Sequence, residues 1–285
     1  MRKKVLIGML VIILSVFIFA EDSYKKPPRE IIEIFNNLRS GYMKIDNIEK
    51  RGAEINYRHM VDLKTISRKT VELAGEEISP VLNGPIEKYP YYDIKLYDFK
   101  KSSVNKINID EETVVRDFIL SPNNKKYAFS VSTDDGIKIY AGDFNSGEYK
   151  QIENIRLNDS FDADNFFWID DKRLLIKAVL SNRKERPQKG EIPSSPVVEE
   201  TKKTKSRMRT YTNLLKNEFD KKLFDYYFES RIVIYDTAQK KIKKIGSPGL
   251  YDHVSVSPNG KYILLEEVKR PYSYRVPNYY FSKDY

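Results

Sequence analysis

Side chains able to carry catalysis or hold a metal are sparse in this chain of 285 residues, and they are spaced poorly for either task. It has two histidines, His59 and His253, and no cysteine. A serine nucleophile needs an imidazole base and a carboxylate that orients it, and on a strained strand-to-helix elbow it is flanked as GxSxG. No such string occurs; the nearest, GDFNSG at 142–147 and GSPGL at 246–250, have the wrong spacing and fall in hairpin turns. His253 belongs to an apolar strand pattern, where a structural role outweighs a catalytic one. His59 has Asp62 three residues on, but no cysteine, second histidine or acidic loop completes a metal shell. The acidic pairs Asp134–Asp135 and Asp170–Asp171 lie in turns, where aspartate is favoured by bonding its own backbone. The 12 glycines are scattered singly, so a glycine-rich phosphate loop is absent. The expected catalytic, cofactor-binding and metal-binding residues are therefore none, and no cofactor is implied.

The elements that would position such residues are short strands in repeat. Residues 117–131, DFILSPNNKKYAFSV, and 252–268, DHVSVSPNGKYILLEEV, are one unit twice: a strand, a Ser-Pro-Asn turn, and an apolar strand opening on tyrosine. Pro122 and Pro258 fix φ at the first inner turn position, and the Asn or Gly that follows tolerates left-handed backbone. A third copy, 165–180, replaces the turn with Ile-Asp-Asp and places Trp168 in an inner strand, as a core residue. Second hairpins follow or stand in parallel at 91–107, 136–152 and 230–246. Four strands per unit, recurring at about 40 to 50 residues, predict propeller blades. The expected fold is all-β, a partial β-propeller of about three to four blades, with a short N-terminal helix and a helical insertion in one blade. Blades are expected at 55–108, 114–156, 161–246 and, incompletely, 252–285. The domain plan is 1–20 signal peptide, 21–50 N-terminal helix and lead-in, and 51–285 partial propeller with an inserted loop and helix at 181–229.

Two segments interrupt the strand pattern. PPREIIEIFNNL at 27–38 predicts a short helix with Ile31, Ile34, Phe35 and Leu38 on one face. Residues 181–205 are rich in Pro, Ser, Lys and Glu and predict an exposed loop. After it Tyr211, Leu214, Leu215, Glu218, Phe219, Leu223 and Tyr226 recur at helical spacing.

The most distinctive strings are SRMRTYTNLLKNEFDKKLFDYYFESRIVIY at 206–235 and KRPYSYRVP at 269–277. Together they resemble the N-terminal propeller region of the prolyl oligopeptidase family of serine peptidases, closest to its glutamyl endopeptidase branch. The resemblance covers most of residues 27–281, is specific in the insertion and in RPYS-x-x-VP, and is loose before residue 110. It implies a propeller that covers a hydrolase active site and admits peptides or loosely folded segments. The nucleophilic Ser, Asp and His of the family lie in a C-terminal α/β-hydrolase domain, and this chain stops at Tyr285, before such a domain begins. The chain is thus expected to be no enzyme on its own, and to meet peptide substrates only if joined to a hydrolase domain, which a downstream-encoded remainder would supply. The inserted helix reads either as a clamp at the rim or as a decoration on its own blade. A free-standing exported propeller that scaffolds other proteins is the alternative function, disfavoured because about 230 residues cannot close a six- or seven-bladed ring. An unclosed ring leaves the strand Tyr262–Val268 with an unpaired edge, which favours self-association.

Composition sets the compartment. Arg2, Lys3 and Lys4, an apolar run from Val5 to Phe19 and Ala20 before Glu21 have the layout of a secretory signal peptide. The run is shorter than the ~20 residues of a spanning helix, so no permanent membrane anchor is expected; bulky Ile18 makes an uncleaved anchor the alternative. Export places the chain in the periplasm or outside the cell. Net charge is +9, but 41 acidic residues are interspersed with 50 basic ones, and the 21 tyrosines fit strand propensity. No nucleic-acid partner is expected.

Overall fold

The computed structural model describes residues 27–36, 38–46, 49–58, 61, 63–110, 113–189 and 209–285. Residues 1–20, expected to be a signal peptide, and His59 and Asp62 lie outside the described residues. The chain divides into two units, Met1–Asn37 and Leu38–Tyr285. In the first, α1 (Arg29–Asn36) opens where the Pro28 carbonyl accepts from the amides of Ile31 and Ile32. Leu38, expected on the apolar face of this helix, instead opens a strand.

The second unit is a series of antiparallel meanders. The first sheet is β1 (Leu38–Asp46), β2 (Arg51–Arg58), β5 (Tyr91–Asp98) and β6 (Ser103–Lys106); β3 (Val71–Leu73) and β4 (Glu76–Ile78) form a separate hairpin between β2 and β5. It therefore begins at Leu38, ahead of the boundaries expected at 51 and 55. Sequence hid this strand because LRSGYMKID carries Gly41 and a register shift between Ser40 and Tyr42 instead of clean alternation. The second sheet is β7 (Val114–Leu120), β8 (Lys126–Thr133), β9 (Gly136–Asp143) and β10 (Tyr149–Gln151), joined to the first by one pair, Tyr91↔Val115. The third is β11 (Phe166–Trp168), β12 (Arg173–Ala178), β13 (Ser230–Asp236) and β14 (Lys241–Gly249), and the fourth is β15 (Tyr251–Val256), β16 (Ile263–Val268) and β17 (Lys283–Asp284). Among the described residues the fold is a mostly β, unclosed propeller of three four-stranded blades and a fourth of three strands.

The two Ser-Pro-Asn turns have the same geometry. In the second sheet the Asn124 amide donates to Ser121 O at 2.8 Å, and in the fourth Gly260 donates to Ser257 O at 2.8 Å. Asn124 and Gly260 hold φ of 50° and 65°, the left-handed backbone expected there. In the third sheet Asp170 Oδ1 takes over the turn by accepting from the amides of Lys172 and Arg173, both at 2.8 Å.

Alternation explains the packing. Ala53, Ile55, Ile94 and Leu96 meet Val115, Phe118 and Phe129 between the first two sheets. Ala128, Ile137 and Ile139 meet Leu174, Ile176 and Val233 between the second and third. Leu175 and Ile232, on the opposite face, meet Tyr251 and Val254 of the fourth. Inner sheets buried on both faces read as continuous apolar runs such as LLI at 174–176. Trp168, 9% exposed, sits in the cluster between the second and third sheets, as expected.

The far face of the first sheet is polar. Lys95 bridges Glu54 at 3.2 Å and Asp93 at 3.7 Å, Lys106 reaches Asp93 at 2.9 Å, Asn56 donates to both carboxylates, and Tyr97 donates to Glu54. The edge expected on Tyr262–Val268 is also modified, since β17 pairs with Glu267 and Val268.

Candidate interaction face built from three insertions

In an antiparallel meander, the connection between the second and third strands lies at the opposite end from the 1–2 and 3–4 turns. The Ser-Pro-Asn end carries tight turns. At the other end the second sheet has only the turn at Asp134–Asp135, but the other three sheets carry long connections: 59–90, 179–229 and 269–282. These three converge with the inter-sheet loop 158–165 into one apolar cluster, which includes Leu73, Ile78, Phe161, Leu223, Phe224, Phe228, Tyr272 and Phe281.

The middle connection supplies α3 (Glu218–Phe228). Its start is set by Asn217, whose Oδ1 accepts from the Asp220 amide at 3.0 Å, while Asp220 Oδ2 accepts from the Lys216 amide at 2.8 Å. The cap satisfies the first-turn amide of Asp220, and Asp220 in turn ties back the residue before the cap. The helix expected from Tyr211 therefore begins seven residues later. Residues 209–217 are irregular, with Asn213 at φ 59° and its carbonyl accepting from Gly75 at 2.9 Å. Their helix-like apolar spacing serves the cluster instead, through buried Leu215.

The two strings that carry the sequence resemblance are in contact. Asp225 accepts from Arg270 and from the Tyr272 hydroxyl, the latter at 2.6 Å. Glu218 accepts from the Tyr274 hydroxyl at 2.6 Å and from Lys221 at 2.7 Å, with Lys221 above the Tyr274 ring. These partners hold the Glu218 carboxyl below its ordinary range. Phe224 meets Tyr272 edge-on at 5.0 Å and Phe281 at 5.8 Å. Beyond the RPYSYRVP string, Asn278 donates twice to Ala74 O, at 2.7 and 3.0 Å, and once to Glu76. Burial raises the Glu76 carboxyl, partly offset by that bond.

Beneath the helix lies a buried amide pedestal. Asn83 donates to Tyr227 O at 2.7 Å and to Ser160 Oγ at 2.8 Å, and Asn158 donates to Tyr227 O at 3.1 Å and Glu229 O at 2.9 Å. These bonds satisfy carbonyls that the end of α3 leaves free. Arg116, nearly enclosed, pairs with Asp159 at 2.7 Å and donates to Pro85 O. On the same side Lys64, within α2 (Leu63–Ile66), and Arg68, just after it, bind Asp134 at 3.2 and 3.0 Å.

Among the described residues, none of those weighed for chemistry is brought together with another. His253 is exposed on β15, opposite Glu266 in register. Ser146 and Asn145 give their amides to Asp143 in a turn, and Ser247 lies in β14. Asp135 binds Lys138, and Asp171 accepts from the Asn123 amide across two sheets. Among the described residues no group of three or more His, Cys, Asp or Glu could hold a metal ion. Sequence reasoning missed Asn83, Asn158 and Ser160; the polar run NDSFDADN at 158–165 was the available signal. It also missed the enclosed Lys177, whose Nζ donates to Asp252 O at 3.0 Å above the Phe161 ring.

The insertions on this face are therefore interlocked by hydrogen bonds and apolar contacts. No protein-family model matches the chain. Curated sequences do: a probable chloroplastic glutamyl endopeptidase of Oryza sativa subsp. japonica is 28% identical over 275 residues, 91% of this chain and 29% of its own length. One from Arabidopsis thaliana is 28% identical over 274 residues, 91% of this chain and 28% of its own length. Among solved structures, an acylaminoacyl peptidase bound to a chloromethyl ketone aligns over 89% of this chain and 31% of its own, with TM-score 0.45 and 15% identity. The β-propeller domain of the trilobed protease from Pyrococcus furiosus aligns over 87% and 54%, with TM-score 0.41 and 15% identity. The chain spans less than a third of the length of the curated relatives it matches, and over 91% of its own length it is similar to two probable glutamyl endopeptidases.

Proposed function

We propose that these residues are the non-catalytic propeller portion of an exported serine peptidase of glutamyl endopeptidase type, and that they limit which chains reach a hydrolase domain. One observation supports this reading most. The two strings shared with the peptidase resemblance meet on the single face where the connections between strands are longest, through Asp225 with Arg270 and Tyr272. Inserted helix α3 binds the first-sheet hairpin, the third sheet and the segment after β16, so it acts as a clamp on that face and not as a decoration of one blade. The hydrolase polypeptide is the partner, and peptides are substrates only of the pair.

The test has two arms. The purified chain should show no labelling by a fluorophosphonate probe, which requires an activated serine; labelling of any serine refutes the non-catalytic reading. Co-expressed with the hydrolase region of a plant relative, it should form a complex that cleaves peptides and spares folded proteins. Equal cleavage of both would refute the gate. Export is checked by N-terminal sequencing, which should begin at Glu21; a full-length, membrane-embedded form would reject processing there. No helix among the described residues is long and apolar enough to cross a membrane.

A further inference from the structure

On the insertion-bearing face Arg116 is buried and Arg183 half-buried, and among the described residues only Arg116 is paired with a carboxylate. Arg116 has its carboxylate, Asp159, at 2.7 Å. Arg183, after β12, has its guanidinium carbon over the Tyr226 ring at 4.6 Å, and among the described residues its Nε and Nη2 are buried without a hydrogen-bond acceptor. No carboxylate stands within ion-pair distance of it among the described residues. Burial pushes its pKa down, with Tyr226 partly offsetting the loss of water. Buried guanidinium N–H groups without an acceptor are unfavourable unless something supplies one.

Arg183 lines a cavity of about 640 Å³ at the junction of the 180–187 segment, α3 and the start of β13. Lys184, Lys222 and Arg231 stand on its walls. Of the wall's carboxylates, Asp225 is already committed to Arg270 and Tyr272, which leaves Glu185 and Glu229 against four cations. Tyr226 and Pro187 add flat apolar walls. The guanidinium rests over Tyr226, and a guanidinium fork pairs most specifically with a planar two-oxygen anion.

We propose that this cavity binds a carboxylate, with Arg183 as its principal partner and the wall lysines as support. Free organic acids and peptide C termini share that chemistry, and the experiment separates them. Thermal unfolding of the full chain is followed in a carboxylate-free buffer with succinate, with an acetylated tripeptide bearing a free C terminus, and with the amide of that tripeptide. At 10 mM the acid forms should raise the midpoint by about 2–4 °C and the amide should not. A shift with the peptide acid larger than with succinate assigns the site to C termini; the reverse assigns it to free acids. Arg183→Met should keep its midpoint without ligand and lose the shift. Lys222→Gln, on the exposed wall, should fold normally and weaken carboxylate binding several-fold in titration calorimetry, which keeps the test open if Arg183→Met does not fold. Equal shifts by acid and amide, no shift with either acid, or undiminished binding in both variants would overturn the proposal.

Discussion

Lys177 occupies a position where the alternation of β12 calls for an apolar side chain: it follows Leu175 on the face that meets the fourth sheet. It is 1% exposed, and its ammonium has the Asp252 carbonyl and the Phe161 ring for company. Burial pulls its pKa down to about 8, against the more distant pull of Asp252 and Asp159. In the unfolded chain the amine keeps its ordinary value near 10.4. Between about pH 8 and 10 the unfolded state then binds more protons than the folded one, so stability rises with pH across that window. The gain is at most about 2–3 kcal/mol. Above it the buried tyrosines act in the other direction, because burial raises Tyr127 and its folded form resists ionisation. Urea midpoints measured from pH 7 to 10 should climb in the wild type and stay flat in Lys177→Met. Parallel profiles would show that Lys177 is not held in a state of depressed basicity.

At the scale of elements, hairpins were the legible part. The two Ser-Pro-Asn turns and the Ile-Asp-Asp variant sit where strand patterning and turn chemistry put them, because both signals are local in sequence. Three features were not legible. β1 hides behind Gly41 and its register shift. The apolar spacing from Tyr211 mimics a helix, although Asn217 sets the true start. The convergence of the insertions depends on contacts between residues about two hundred positions apart, such as Asn278 with Ala74, and no local pattern encodes those. The β3–β4 hairpin is the clearest case. Gly75 turns it at φ 96°, and a Cβ there would lie 2.3 Å from Cβ of Pro277. Gly75→Ala thus combines backbone strain with a clash against the segment that the RPYSYRVP string delivers, and should cost about 2–4 kcal/mol. Denaturant titration checks the loss. A neutral Gly75→Ala would mean that the hairpin and residues 277–278 do not hold each other.

At the scale of the whole second unit, two kinds of interaction link the sheets. Apolar layers join each sheet to its neighbour in order: first to second, second to third, third to fourth. The insertion cluster joins elements out of order, since Leu73 belongs to the first-sheet hairpin, Phe224 to the third-sheet helix and Phe281 to the segment before β17. A chain held by neighbour layers alone would lose its blades one by one from the ends. A cluster that ties the first, third and fourth makes their loss a shared event. Phe224 is fully buried at the centre of this cluster, against Phe161, Phe228, Tyr272 and Phe281. Truncating it to alanine should cost about 3–5 kcal/mol. Trp168, the single tryptophan, reports from the separate layer between the second and third sheets. If the cluster couples the blades, Phe224→Ala lowers the unfolding midpoint seen by Trp168 fluorescence as much as the midpoint seen by far-ultraviolet circular dichroism. A Trp168 transition left in place while part of the dichroism is lost early would show instead that the insertion face melts on its own, and that the blades are held only by their neighbours.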